Sequence, residues 1–320
     1  MAQLLIGDDR LLVHMAAHSP FLDSDADKRL SAFRLVKVML LFWLTLLIAC
    51  EHSDRQGSGS LAGGTMRLPR SLHELSGMTA VDANTLACVQ DELGIVFFVD
   101  LSGQQPVRPV PFGKKGDYEG IALAAGSIWI LRSDGKLQKL TFDGQNLRVE
   151  KSIKVPFDGE FEGLCFDPAS EQLLVLPKGP VEGKRREKIR RRVLACDAFQ
   201  GTVLSKPFLT LRVDKIEEQI EELDLAAPRR TTSKGNIRVD LKLLSSELLV
   251  LPDGDLLLLS PKDHLLLRLD RSGDVVATQD LDMELLPQPE AMALLPDGRL
   301  LIGSEGRGRS ALIAVVAIPE

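Results

Sequence analysis

The sequence is poor in the side chains that stack on flat ligands: it has one Tyr and two Trp. Surfaces that read single-stranded nucleic acid or sugar rings lean on such residues, so that class is disfavoured. A basic excess is also missing. The formal net charge is −6, which gives no electrostatic footprint for a nucleic-acid partner. No apolar stretch reaches the ~20 residues that a bilayer-spanning helix needs. There is no Cys-x-x-Cys pair, no zinc-like Cys/His spacing and no Gly-x-Ser-x-Gly elbow for a Ser/His/Asp triad. What the chain does hold is 44% hydrophobic residues in 320, enough for a substantial core in one large or two ordinary domains.

The longest uncharged apolar run is VMLLFWLTLLIA, 38–49. That length suits the core of a secretory signal peptide, and Lys28, Arg29, Arg34 and Lys37 supply its positive flank. The string LIAC, 47–50, resembles a bacterial lipobox, which implies lipidation of Cys50. Residues 1–50 are therefore read as leader and lipoprotein-type signal peptide. The leader is long for its kind, and a start at Met15 would be more usual. Residues 51–65, polar and rich in Gly and Ser, read as a flexible tether. This predicts a lipid-anchored, periplasm-facing protein of the bacterial envelope. Glu51 after the Cys lacks the Asp-type inner-membrane retention signal and favours the outer membrane.

Cys88, Cys165 and Cys196 each lie in a short apolar run. They read as small buried hydrophobes. A Cys165–Cys196 bridge is the alternative in an oxidising compartment.

One short pattern recurs. A Ser or Glu, then a small residue, then an apolar run appears at Ser76, Glu119, Glu162, Ser246 and Glu290, at intervals of 43, 43, 84 and 44. A period near 40–45 residues marks four-stranded propeller blades. Each unit continues alike, with an apolar run, a turn such as Pro-Asp-Gly at 252–254 and 296–298, and a second apolar run. The turns cut the Leu-rich segments too short for amphipathic helices. One exception, KIEEQIEELDL at 215–225, spaces Ile216, Ile220 and Leu223 helically. It lies in an irregular, charged span, 178–240, with KRREKIRRR at 184–192, read as a solvated loop or edge strand. The predicted fold is all-β: a propeller over 66–320 with six blades, or five, and one charged insertion. The interval of 84, close to two periods, favours six.

In a propeller, the first strand of each blade lines the central channel and the second runs back beside it. The start of one and the end of the other share a mouth. The recurring Ser/Glu stands at the start of strand one. About fourteen to sixteen residues on, at the end of strand two, stand Asp91 and Glu92, Arg132 and Ser133, Lys178, Ser260, and Ser304 and Glu305. The expected metal- or ligand-binding set is therefore Glu119, Glu162, Glu290, Asp91, Glu92 and Glu305. Ser76, Arg132, Lys178, Ser246 and Ser260 are its channel-mouth neighbours. So many carboxylates in one mouth repel unless a cation neutralises them. An oxygen-only donor set suits Ca²⁺ or Mg²⁺ over zinc, which makes Ca²⁺ the cofactor to expect. Clasping of adjacent blades is the structural alternative for each Glu. Gly77, Gly120 and Gly163 read as close approaches of backbone between crowded inner strands. His73, His264 and the Gly- and Arg-rich GSEGRGRS, 303–310, form no recognisable catalytic or P-loop pattern.

ELSGMT (74–79), QDELGIVFFVD (90–100), DYEGIAL (117–123), FEGLCFD (161–167) and QPEAMALLPDGRLLIGSEG (288–306) together resemble the SdiA-regulated, YjiK-type β-propellers, including calcium-regulated propellers of bacterial envelopes. The likeness covers most of 70–320. The chain departs from that pattern at LSSELLVLPDG, 244–254, which lacks a Pro, and at EAM in place of EGI. The resemblance implies an envelope propeller and brings no established reaction. The readings that follow are a monomeric propeller binding Ca²⁺, another small ligand or an envelope protein at an acidic mouth; a metal-assisted phosphate or carboxylic ester hydrolase with Glu119 or Glu162 as base; or a protein-interaction scaffold.

Overall fold

A computed structural model describes residues 60–142, 146–180 and 189–320. Residues 1–59 lie outside the described residues, and with them the signal-peptide, Cys50 and most of the tether readings.

The chain enters through β1 (Thr65–Arg67) and then builds antiparallel sheets in sequence order. Blade one is β2 (Leu75–Ala80), β3 (Thr85–Gln90), β4 (Ile95–Asp100) and β5 (Arg108–Pro111). Blade two is β6 (Tyr118–Ala124), β7 (Ser127–Arg132), β8 (Lys136–Phe142) and β9 (Leu147–Lys154). Blade three is β10 (Phe161–Asp167), β11 (Gln172–Pro177) and β12 (Arg190–Asp197), with β13 (Thr202–Val203) and β14 (Leu209–Arg212) sharing the outer edge of β12. An insertion follows: helix α1 (Val213–Glu222) and the hairpin β15 (Arg229–Thr231) and β16 (Ile237–Val239). Blade four is β17 (Glu247–Val250), β18 (Leu256–Ser260), β19 (Leu265–Leu269) and β20 (Val275–Asp280). Blade five is β21 (Pro289–Leu294), β22 (Leu300–Ser304) and β23 (Leu312–Val316). Its fourth strand is β1, paired Thr65 to Ala314 and Arg67 to Leu312, so one end of the domain closes the ring on the other.

The fold is a β-propeller of five blades, the lower of the two counts the repeat allowed. Among the described residues, the interval of 84 holds no sixth blade. It holds the long β12 with its two outer partners, and then α1 and the hairpin. α1 forms where the helical spacing lay, although Leu223 falls outside it and is exposed. Val213, Ile216 and Ile220 are buried against blades three and four. Glu217 and Glu221 accept hydrogen bonds from the Leu241 and Val239 amides, both at 2.8 Å, and so hold the returning chain against the helix. Of KRREKIRRR, residues 184–188 lie outside the described residues. Arg191, read as part of a solvated run, is instead buried: its guanidinium donates to the Leu243 and Lys242 carbonyls, each at 2.7 Å.

The core explains why the strands read as continuous apolar runs instead of alternating ones. There are five apolar layers, one between each pair of neighbouring blades. A blade is sandwiched, so both faces need apolar residues. Along β18, Leu256 and Leu258 pack toward blade three, while Leu257 and Leu259 pack toward blade five. The three cysteines lie in three different layers and are free and buried. Cys165 and Cys196 therefore act as small hydrophobes and do not pair; burial pushes both thiols up.

Candidate functional site at the channel mouth

The inner strands carry one repeated irregularity. Their pairing with strand two slips between Leu75 and Gly77, Tyr118 and Gly120, Phe161 and Gly163, and Pro289 and Ala291. The residue passed over is Ser76, Glu119, Glu162 or Glu290. A bulge leaves its extra residue out of the ladder and re-aims the side chain. Four blades thus turn the recurring position toward a common mouth. The residue after each bulge is small because the inner strands nearly touch. A Cβ on Gly77 would stand 2.8 Å from the Glu119 carbonyl oxygen, and one on Gly120 would stand 2.8 Å from Leu164 Cβ.

The mouth is a cavity of ≈ 200 Å³ lined by Glu74, Leu75, Ser76, Asp91, Glu119, Glu162, Lys178, Gln288, Glu290 and Glu305. Glu119, Glu162, Glu290, Asp91, Glu305, Ser76 and Lys178 are thereby brought together from four blades. Four other sequence candidates are not. Glu92 is exposed and faces Lys115 at 3.5 Å. Arg132 turns to Asp134 at 3.6 Å. Ser260 is buried and donates to Asp263 at 2.6 Å. Ser246 is buried and donates to the Pro289 carbonyl at 3.4 Å. Position along the strand places these four near the mouth, but nearer partners take their side chains.

Six carboxylates share this cavity with one lysine. Lys178 Nζ donates to Glu162 Oε1 at 2.7 Å. Burial weighs against the ammonium, but that bond and the surrounding carboxylates hold its pKa up. Burial raises the Glu162 carboxyl, and Lys178 opposes the rise. Glu119 and Glu290 are less well compensated. Burial, the Glu162 charge and a hydrogen bond with Asp117 push Glu119 to about 9. Burial and the Glu162 charge push Glu290 to about 8, against the pull of Lys178. Asp91 is raised to about 6 by burial and by Glu74. Burial, then Glu74, raises Glu305. Asp91 Oδ1 is buried and has no hydrogen-bond partner among the described residues. Near neutral pH the mouth therefore holds protons that carboxylates would ordinarily have shed.

The reading by repeat missed Glu74, Gln288 and Glu247. The first two stand two residues before the recurring position, as do Asp117 and Glu160, which bear electrostatically on Glu119 and Glu162. This second polar repeat was there to be found. Glu247 is different. Blade four has Ser246 at the recurring position and Glu247 where the others have Gly or Ala. Its side chain is buried against Gly163 of the neighbouring blade. Oε1 accepts from the Leu164 and Leu248 amides at 3.1 and 3.0 Å, and Oε2 has no hydrogen-bond partner among the described residues. Burial drives its pKa well up, against the pull of those two amides.

The donor chemistry suits a hard cation, but the placement does not make a preformed metal site. Among the described residues, no group of three or more His, Cys, Asp or Glu stands together so as to hold a metal ion. The carboxylates ring the cavity and do not converge on a point.

No protein-family model matches the chain, and no curated protein matches it. Solved structures resemble it in fold. The glutaminyl cyclase of Myxococcus xanthus shares 14% identity at a TM-score of 0.48, over 83% of this chain and 97% of that one. Virginiamycin B lyase from Staphylococcus aureus shares 13% at 0.44, over 79% and 87%. The WD40 β-propeller domain of Doa1 shares 10% at 0.43, over 82% and 97%.

Proposed function

We propose that this propeller binds a positively charged ligand at the acidic mouth of its channel. One observation carries the reading: among the described residues the cavity is lined by six carboxylates and one lysine, Lys178, which is engaged by Glu162, while Arg307 and His73 offset only the Glu305 side. A cation entering there gains from every remaining carboxylate and displaces protons from Glu119 and Glu290. Because the carboxylates surround the space, a ligand carrying one or more ammonium groups fits them as placed, and a calcium ion requires them to draw inward. The hydrolase reading gains nothing here. A general base must be free of its proton, whereas Glu119 keeps its own at neutral pH and Glu162 is held by Lys178.

The likeness of DYEGIAL, FEGLCFD and QPEAMALL to the SdiA-regulated, YjiK-type propellers supports an envelope setting. With the signal-like 38–49 and Cys50, it suggests a lipid-anchored protein whose propeller meets its ligand in the periplasm. Thermal melting at mildly alkaline pH tests the binding. Calcium chloride and a diaminobutane are the probes, against wild type and Glu119→Gln/Glu290→Gln. A rise in Tm with at least one cation in wild type, diminished in the variant, is the expected result. Flat melting curves with both cations into the millimolar range would remove the proposal.

A further inference from the structure

A second surface lies away from the mouth, between blades four and five. The stretch Asp280-Leu281-Asp282-Met283-Glu284-Leu285 alternates acid and apolar residue as the chain leaves β20. Leu281 and Leu286 turn inward and join the layer between the two blades. Met283 and Leu285 do not; they are 51% and 38% exposed. Across from them, Val315 at the end of β23 is also exposed. Between lies a groove of ≈ 250 Å³ lined by Gln279, Leu281, Leu285, Leu286, Val315 and Val316, with Asp280 and Asp282 at its side.

β20 is the outermost strand of its blade; the insertion meets it at Val275 and Thr278, short of the groove, and on β23 the Val315 amide donates to the Gly64 carbonyl at 2.8 Å. Asp280, Asp282 and Glu284 are exposed and no cation pairs with them among the described residues; Asp282 Oδ1 accepts from the Glu284 and Leu285 amides at 2.8 and 3.3 Å.

We propose that this groove docks a basic, apolar segment of a partner protein. One or two of the partner's aliphatic side chains fill the space over Leu281 and Leu286. Its Lys or Arg residues meet Asp280, Asp282 and Glu284. The three acids are what favour such a partner over an anionic membrane, which they would repel. A contact of this size is weak and reversible, and its ionic half is screened by salt.

Fluorescence anisotropy tests the proposal on the full propeller. The probe is a short labelled peptide alternating Leu and Lys, with its Leu-and-Glu counterpart as control. The Leu–Lys peptide is expected to bind. Its affinity should fall at least tenfold in Asp280→Lys/Asp282→Lys, fall comparably in Met283→Ser/Leu285→Ser, and hold in Glu119→Gln/Glu290→Gln. All the substituted groove residues are exposed, and melting curves confirm that each variant folds. No binding up to millimolar protein overturns the proposal. So does equal binding of the Leu–Glu peptide, or loss of binding only in the mouth variant. Binding of phosphatidylglycerol vesicles that depends on Met283 and Leu285 would replace the protein partner with a membrane.

Discussion

Replacing Glu119 by Gln should flatten the alkaline loss of stability. In the folded protein Glu119 is pushed to about 9, against an ordinary glutamate value of 4.5. Between those values the unfolded chain has released a proton that the folded chain still holds. Stability from this group is therefore fully present below about pH 4.5, falls as pH rises, and is gone once pH passes the folded pKa. The slope is about 1.4 kcal/mol per pH unit. From about pH 6 to about pH 8 the wild type should lose roughly 3 kcal/mol through Glu119 alone. Gln is uncharged and of the same size, so Glu119→Gln lacks this loss. For a domain of this size each kcal/mol moves Tm by about 2–4 °C, so the gap between the two proteins should change by about 6–12 °C over that range. Melting followed by circular dichroism at several pH values reads it. Parallel profiles from pH 6 to pH 8 would show that Glu119 titrates normally, and the crowded-mouth argument would fail with it.

Two further outcomes test the frame that holds the mouth. Gly120→Ala sets a Cβ within 3.1 Å of the Glu162 carbonyl oxygen and the Leu164 amide, atoms of a neighbouring inner strand that cannot step aside; it should lower stability by about 1–3 kcal/mol in urea titration, and a neutral effect would mean the inner strands are looser than described. Arg271 donates in two bonds, at 3.1 and 2.6 Å, to Asp167, whose side chain is buried between blades three and four. Arg271 is 38% exposed and Asp167 keeps bonds from Ser170 and the Ala169 amide, so Arg271→Ala should cost about 1–2 kcal/mol. The Asp167 carboxyl is held below its ordinary range, by Arg271 and Ser170 against burial, so the wild type's advantage should stand above about pH 4 and fade as pH drops through the folded pKa; an advantage constant into acid would refute the pairing.

The blades were legible because their spacing is covalent: an equal interval between Glu119 and Glu162 survives folding whatever the side chains do. The mouth was legible for the same reason, since position along strand one and strand two fixes which end of the blade a residue occupies. What spacing cannot give is the direction of a side chain once competing partners are near. Ser260 lies at the right end of β18, but Asp263, three residues on, accepts its hydroxyl. Glu92 stands beside Asp91 and turns to Lys115. Blade four hid its acid by shifting it one position, to Glu247, where a pattern built on Gly has no place for it. Five blades was one of the two counts the spacing allowed; the insertion tilted the reading toward six because its length mimics one more period. Yet α1 was visible, since Ile216 and Ile220 keep a helix's spacing among strands.

The central claim is that cations bind at the mouth in exchange for protons. Calorimetric titration near neutral pH, in two buffers of different ionisation enthalpy, reads both quantities together. With calcium chloride or a diaminobutane, the observed heat should differ between buffers, showing proton release on binding, and Glu119→Gln/Glu290→Gln should lose it. Binding heat that is the same in both buffers, or the same in that variant, would contradict the account.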